Sequence, residues 1–266
     1  MAVTMQQVYE RLNEWAPFAT QMNFDNAGLL VGRRNRPVTR ILTALDITRE
    51  VILEASQQGC QLIVSHHPVI FHPVKSVTDG DPVGEKLLLL AEQGIGAICA
   101  HTNLDAAQGG VNDCLARALG LTAVEQLHQD GVDEQGRPYG IGRVGLAHQS
   151  GMTAKEYAAY VKEQLGAASV RFADGGKLVH KVAVGGGSCG SMLLDALEKG
   201  CDTFVTADVK YDQYLEAKAL GLTLMDAGHF PTEHVVVPPL AQFLKDSFPE
   251  LEVAVSAVHR EVYEGV

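Results

Sequence analysis

Apolar positions along the chain switch repeatedly between a helical period and short continuous runs. Val8, Leu12 and Trp15 follow at helical spacing, and Thr4 with Gln7 three residues on spells a capping box, so an amphipathic helix is predicted that Pro17 closes. RILTALD reads as a strand, and REVILEASQQG as a helix with its C-cap at Gly59. QLIVS, apolar on consecutive positions, reads as a strand buried on both faces. Helix DPVGEKLLLLAEQG, strand IGAICA and helix GVNDCLARALG repeat the alternation. Strands alternating with helices predict an α/β fold with mostly parallel sheets covered by helices.

The polar stretch over residues 125–140, with Asp130, Gly131, Gly136 and Pro138, is the candidate boundary between two such regions. Beyond it, GIGRVGLA reads as a strand, and Thr153 with Glu156 caps the helix AKEYAAYVKEQLG. KVAVGGGSCGSMLLDALEKG, DTFVTADVKYDQYLEAKALG and LTLMDAGH add three more strand-to-helix passages. Pro238 and Pro239 cannot both continue a helix, so a kink or restart is expected there.

Composition narrows the function classes. Lys and Arg number 21 against 32 Asp and Glu, a formal charge of −11 that argues against binding bare nucleic acid. With 46% hydrophobic residues the chain has material for one large core or two medium ones. Five cysteines, Cys60, Cys99, Cys114, Cys189 and Cys201, are scattered without a C-x-x-C spacing, which suits a reducing cytoplasm better than a disulfide framework. The opening residues have no basic head before an apolar stretch, and no apolar run approaches the ~18 residues of a membrane helix. No targeting segment and no membrane partner are expected.

Chemistry concentrates in three segments of one construction, a buried strand followed by metal-type ligands. They are LIVSHHPVIFHP with His66, His67 and His72, AICAHTNLDAA with His101 and Asp105, and LMDAGHFPTEH with Asp226, His229, Glu233 and His234. Ligands bind beyond the C-terminal ends of strands in open α/β sheets, so the three segments are expected to converge on one site. Side chains alternate along extended chain, which places adjacent His66 and His67 to reach two ions rather than chelate one. His229 and Glu233, four apart, share one face of a helical turn. Glu233 is therefore assigned as the bridge between two metal ions, His229 to one ion and Asp105 to the other. His101 is assigned to orientation or proton transfer; the competing reading is a structural hydrogen bond. His72 and His234 stay open between ligand and structural roles, and His128, His148, His180 and His259 carry no signal.

The strings FDNAGLLVG, SHHPVIF, AHTNLDAAQGGVND and DAGHFPTE resemble the dinuclear-metal family known as GTP cyclohydrolase 1 type 2, or NGG-interacting-factor-like proteins. The resemblance implies metal ligands at His66, His67, Asp105, His229 and Glu233, the set reached from spacing. It also implies two α/β lobes with the metal site between them. On this chain the first lobe takes residues 1–125 with 230–266 and the second takes 126–229. A homohexameric ring with its sites facing an internal cavity is implied as well, without the inserted domain of some relatives, for which residues 125–140 are too short. Ala207 stands where the family pattern usually has glycine, and Asp212 where histidine is common. These departures spare the ligands but touch the surroundings of that loop.

Histidine and carboxylate ligands without thiolate suit two divalent ions among zinc, iron, manganese, cobalt or nickel. Two dications against two carboxylates leave a positive excess, which favours an anionic small-molecule substrate, and a close ion pair activates water and polarises the bond it attacks. The leading reading is a metal-dependent hydrolase on a phosphate-bearing small molecule. By resemblance that molecule is GTP, its imidazole ring opened with release of formate. The rival is a metal-binding scaffold or regulatory assembly protein with little turnover.

GGGSCG at 185–190 spells G-x-G-x-x-G between a strand and a helix, so phosphate contact and, more remotely, a nicotinamide cofactor are alternatives to a sterically required turn. Asp25 and Asn26 with Gly28 form either a turn lining the site or an Asx-turn without chemistry. Asp46, at the end of RILTAL, orients a ligand or caps the next helix.

Overall fold

The computed structural model describes residues 2–264; residue 1 and residues 265–266, the termini of the expected first lobe, lie outside them. Contacts divide the chain into two compact units. One comprises the residues up to Leu104 with Val237–Arg260, the other Asp105–Val236 with the residues from Glu261 on.

These boundaries differ from the expected 125/126 and 229/230. The helix Val111–Ala118 puts Leu115 and Ala116 into one core with Val182, Val184, Val205 and Met225, so it belongs with the second sheet. The strand Thr122–Gln126 pairs with Arg143–Leu146 of that sheet. Val235 packs against the same core, which carries the second unit past residue 229. The polar stretch 125–140 is no linker. It folds as a small hairpin, Gly131–Val132 against Pro138–Tyr139, inside the second unit.

The first unit holds a five-stranded sheet in the order Gly28–Val31, Gly96–Cys99, Leu62–Ser65, Arg40–Ala44, Glu252–Val255. The last four are parallel, and Gly28–Val31 is an antiparallel edge. Both faces are buried. Leu42, Ala44, Ile63, Ala97 and Cys99 pack beneath the helices Arg49–Gln57 and Pro82–Gln93, while Ile41, Leu62, Val64 and Ile98 are buried on the other face. The expected capping box on the helix Met5–Trp15 is present. The helix Arg49–Gln57 ends at Gln58, followed by Gly59 at φ +68°, a left-handed position that costs glycine nothing. Pro238 and Pro239 lie in the first turn of the helix Val237–Ser247, where a missing N–H is harmless; the expected restart is there.

The register of this sheet sets up chemistry. Ala44 is aligned with Ser65, and Ser65 with Cys99, so three adjacent parallel strands end at one level. The residues just beyond those ends are Asp46, His66, His67 and His101.

The second unit holds six strands, Thr122–Gln126, Arg143–Leu146, Lys181–Val184, Thr203–Thr206, Thr223–Asp226 and Arg171–Ala173 in that order. Only the three from Lys181 to Asp226 are mutually parallel; the flanking pairings are antiparallel. Alternate residues serve opposite cores, Val182, Val184, Val205 and Met225 on one face and Ala183, Phe204 and Leu224 on the other. Among the described residues no helix is long and apolar enough to cross a membrane, and the five cysteines are free thiols.

Candidate metal centre

In the first unit His66, His67 and His101 each offer a ring nitrogen within 4.8 Å of the others. Every one of the three rings is held at Nδ1. His66, fully buried, donates from Nδ1 to the Ala100 carbonyl at 2.8 Å, and since a carbonyl only accepts, its lone pair resides on Nε2. His67 Nδ1 meets Asp46 Oδ1 at 2.8 Å, and His101 Nδ1 meets Asp25 Oδ1 at 2.7 Å. Carboxylates at Nδ1 favour the proton there and turn Nε2 outward as a basic ligand, the arrangement that metal-binding histidines need.

The anchoring carboxylates are themselves fixed. Asp46 also approaches His259 Nε2 at 3.2 Å. Burial works to raise the Asp46 pKa, but hydrogen bonds from His259 and His67 outweigh it and hold the carboxyl well below the ordinary range. Asp25 accepts from the Thr102 amide at 3.0 Å and from the Thr102 hydroxyl. There too burial raises the pKa, and the bonds from His101 and Thr102 win, bringing it down to about 2. Asp46 is thus an orienting group; the cap of the following helix is Thr48.

In the second unit Asp105, 7% exposed, and Glu233, 3% exposed, offer carboxylate oxygens within 4.8 Å of each other. His229 Nε2 lies 3.0 Å from Glu233 Oε2 across one helical turn, as their spacing requires. His229 Nδ1 meets Asp208 Oδ2 at 2.6 Å, a third carboxylate–histidine pair. Asp208 has φ +52°, a left-handed conformation that aspartate tolerates better than most residues. Asp226 is not a ligand here: it accepts from the amides of Val209 and Gly228 and pairs with Arg171 at 2.6 Å, tying together the loops that carry Asp208 and His229.

The glycine turn is explained by Glu233. A Cβ on Gly187, at φ +62°, would sit 2.0 Å from Glu233 Oε1, and one on Gly186 would meet Val111 at 2.8 Å. Four of the six amides in this turn are engaged within the protein. Gly185 N donates to Val205 O, Gly186 N to Asn112 Oδ1, Gly187 N to Thr232 Oγ1 and Cys189 N to Gly187 O. Asn112 in turn donates to the Asp105 carbonyl at 2.9 Å, so the turn braces both acidic residues. The turn thus has a structural role that accounts for its glycines without a nicotinamide or phosphate ligand.

Each predicted ligand therefore falls in one of two clusters. His66, His67 and His101 stand together in one unit, and in the other Glu233 lies within reach of Asp105 and of His229. His72 is exposed beside Phe71, and His234 stacks on Phe230 at 4.5 Å. Ala207 is buried and donates to Gly187 O, and Asp212 lies on the exposed first turn of the helix Tyr211–Ala219. Sequence reasoning missed Asp208 and His259, which orient ligands through contacts 21 residues away in one case and through Asp46 in the other.

The donor set suits a divalent ion, with imidazoles held as neutral ligands and carboxylates to offset charge. The family model for Duf34/NIF3 (NGG1p interacting factor 3) matches residues 3–262. A relative from Clostridium perfringens named GTP cyclohydrolase 1 type 2 homolog is 34% identical, over 95% of this chain and 96% of its own. A Streptomyces coelicolor relative of the same name is 36% identical over 86% and 81%. The crystal structure of a hypothetical protein from Staphylococcus aureus matches with a TM-score of 0.94 at 29% identity, covering all of both chains. A Bacillus cereus protein related to NIF3 follows at 0.93 and 25%, over 100% of this chain and 99% of its own. From its sequence and its fold alike, the chain belongs to the Duf34/NIF3 family.

Proposed function

We propose that His66, His67, Asp105, His229 and Glu233 hold two divalent ions and that the protein is a hydrolase of phosphate-bearing small molecules. GTP is the substrate suggested by the name its relatives carry. The observation that carries this reading is the repeated anchoring of histidine Nδ1, by the Ala100 carbonyl, Asp46, Asp25 and Asp208, which commits four imidazoles to Nε2 as the outward nitrogen. When bound, the ions supply Lewis acidity toward water and toward the bond under attack.

The chain's own residues supply the rest. Asp46 and Asp208 keep the Nδ1 protons of His67 and His229 in place, so both rings stay in one tautomer. Glu233, braced by Gly187, would be held in place to offer its carboxylate to the ions. His101 has Asp25 behind Nδ1 to stabilise an imidazolium, which equips Nε2 to accept a proton from water and return it to the leaving group. The protomer works in the cytoplasm as a homohexamer, as the family resemblance implies.

The test is metal-reconstituted protein against a panel of nucleotides and phosphoesters. About two ions per chain are expected by elemental analysis, with turnover lost in Glu233→Ala and reduced, at unchanged metal content, in His101→Gln. Light scattering should give six times the protomer mass. Two bound ions without turnover under any metal would favour the scaffold reading, and a stoichiometry near zero after loading would end both.

A further inference from the structure

Two phenylalanines stand exposed beside the histidine cluster of the first unit, Phe24 at 64% and Phe71 at 38%. The Phe71 ring is edge-on to His101 at 5.9 Å between centroids, and Phe24 meets Phe71 at 6.4 Å with the planes 69° apart. Neither side chain is loose in its backbone. Phe24 lies in a turn closed by the Asp25 amide on the Met22 carbonyl at 2.9 Å, and the Met22 amide donates to Thr102 Oγ1 at 2.9 Å. Asn26 Nδ2 donates to the Ile70 carbonyl at 2.6 Å, directly before Phe71.

The network that fixes His101, through Asp25 and Thr102, therefore also presents the two rings. A turn organised to hold a large apolar side chain in water forgoes the burial that places phenylalanine in cores elsewhere. A planar ligand recovers it.

We propose that Phe24 and Phe71 form a stacking edge for the planar heteroaromatic ring of the substrate, and so select nucleotide-like phosphates over phosphates without a ring. This rests on the phosphate-substrate reading above and adds the side chains that would face the ring of such a substrate. Stacking on an aromatic side chain discriminates by face rather than by hydrogen bonding, so the preference is for aromatic over aliphatic groups and not for one base over another.

The test is isothermal titration calorimetry of the metal-loaded full-length protein with GTP, ribose 5-phosphate and inorganic triphosphate. Wild type should bind GTP more tightly than either ringless probe. Phe24→Ala and Phe71→Ala should each weaken GTP by about tenfold while triphosphate stays within about twofold. Phe24→Tyr should retain GTP affinity, with metal content unchanged in all three variants. Equal weakening of GTP and triphosphate overturns the stacking role, and so does a loss of oligomeric mass in the alanine variants, which would assign the pair to contact between copies of the chain. Wild type binding GTP and triphosphate equally overturns the aromatic assignment alone. Binding of neither overturns the phosphate-substrate reading itself, and this assignment with it.

Discussion

The two units build their clusters in opposite ways. In the first, three adjacent parallel strands end at one level, and the histidines sit directly past the strand ends with their ring nitrogens fixed by Ala100, Asp46 and Asp25. In the second, only three strands are parallel, and His229 and Glu233 sit on a single helical turn, His229–His234, beyond the strand Thr223–Asp226. There precision comes from steric support: the glycine turn against Glu233 and a left-handed Asp208 against His229. Sheet register positions side chains without further help, whereas a short helix needs close backbone approach to hold its own in place.

The sharpest way to break this contrast is Gly187→Ala. The new Cβ would collide with Glu233 Oε1, at 2.0 Å, and the backbone would be held at φ +62°. A loss of about 2–4 kcal/mol in stability is expected, with metal affinity, read by chelator competition, down by about 100-fold. Gly59→Ala is the control, since its Cβ has nothing within 4 Å. It should show only the left-handed backbone cost of about 1–2 kcal/mol. Equal effects at the two glycines would mean that Glu233 does not need the turn.

Removing the anchoring carboxylates sharpens the comparison at the histidines. Asp46→Ala releases both His67 and His259, while Asp208→Ala releases His229 alone. Each should lower metal affinity about 10–100-fold, Asp46→Ala the more. Asp208→Asn keeps an acceptor for Nδ1 and tolerates positive φ, so it should lose less than Asp208→Ala. The reverse order would show that His229 is positioned by Glu233 rather than by Asp208.

Legibility followed the same division. The strings around His66, His101 and His229 announce themselves because a run of buried strand residues is followed by ligand types that rarely cluster. Both capping boxes, Thr4 with Gln7 and Thr153 with Glu156, were readable because the partners lie three residues apart. The edge strands Gly28–Val31, Thr122–Gln126, Arg171–Ala173 and Glu252–Val255 were not, since most of their residues lack the buried apolar run that marked QLIVS. Asp208 looked like one residue of a polar loop, and His259 an isolated histidine near the end. Their roles come from tertiary proximity to His229 and Asp46, which no local spacing encodes. The domain boundary went astray because polarity at 125–140 marks a solvent-facing hairpin as readily as a linker.

A smaller effect distinguishes Asp25 by its pH dependence. Folding lowers its pKa from 3.8 to about 2, so as pH falls the unfolded chain takes up the proton first. The contribution is full above about pH 4, fades as pH drops from there toward 2, and amounts to about 1 kcal/mol after allowance for solvent screening. Urea denaturation of Asp25→Asn at pH 5 and pH 3 should show a shallower loss of stability between the two than wild type. An unchanged slope would mean that the Asp25 contacts with His101 and Thr102 do not favour its ionised form.

The smallest expected effects fall where the two units are built alike. Thr4 caps the helix Met5–Trp15 and Thr153 the helix Ala154–Leu165, each by accepting from the backbone three residues on while the side chain at that position reaches back. Thr4→Ala and Thr153→Ala should each cost about 1 kcal/mol by denaturant titration, and serine at either position should recover most of it. Neither threonine touches the clusters, so metal stoichiometry and affinity should not move. Loss of metal affinity on one cap substitution and not on the other would show that the metal-binding residues draw unequally on the two capped helices, extending the contrast between register and steric support into the scaffold itself.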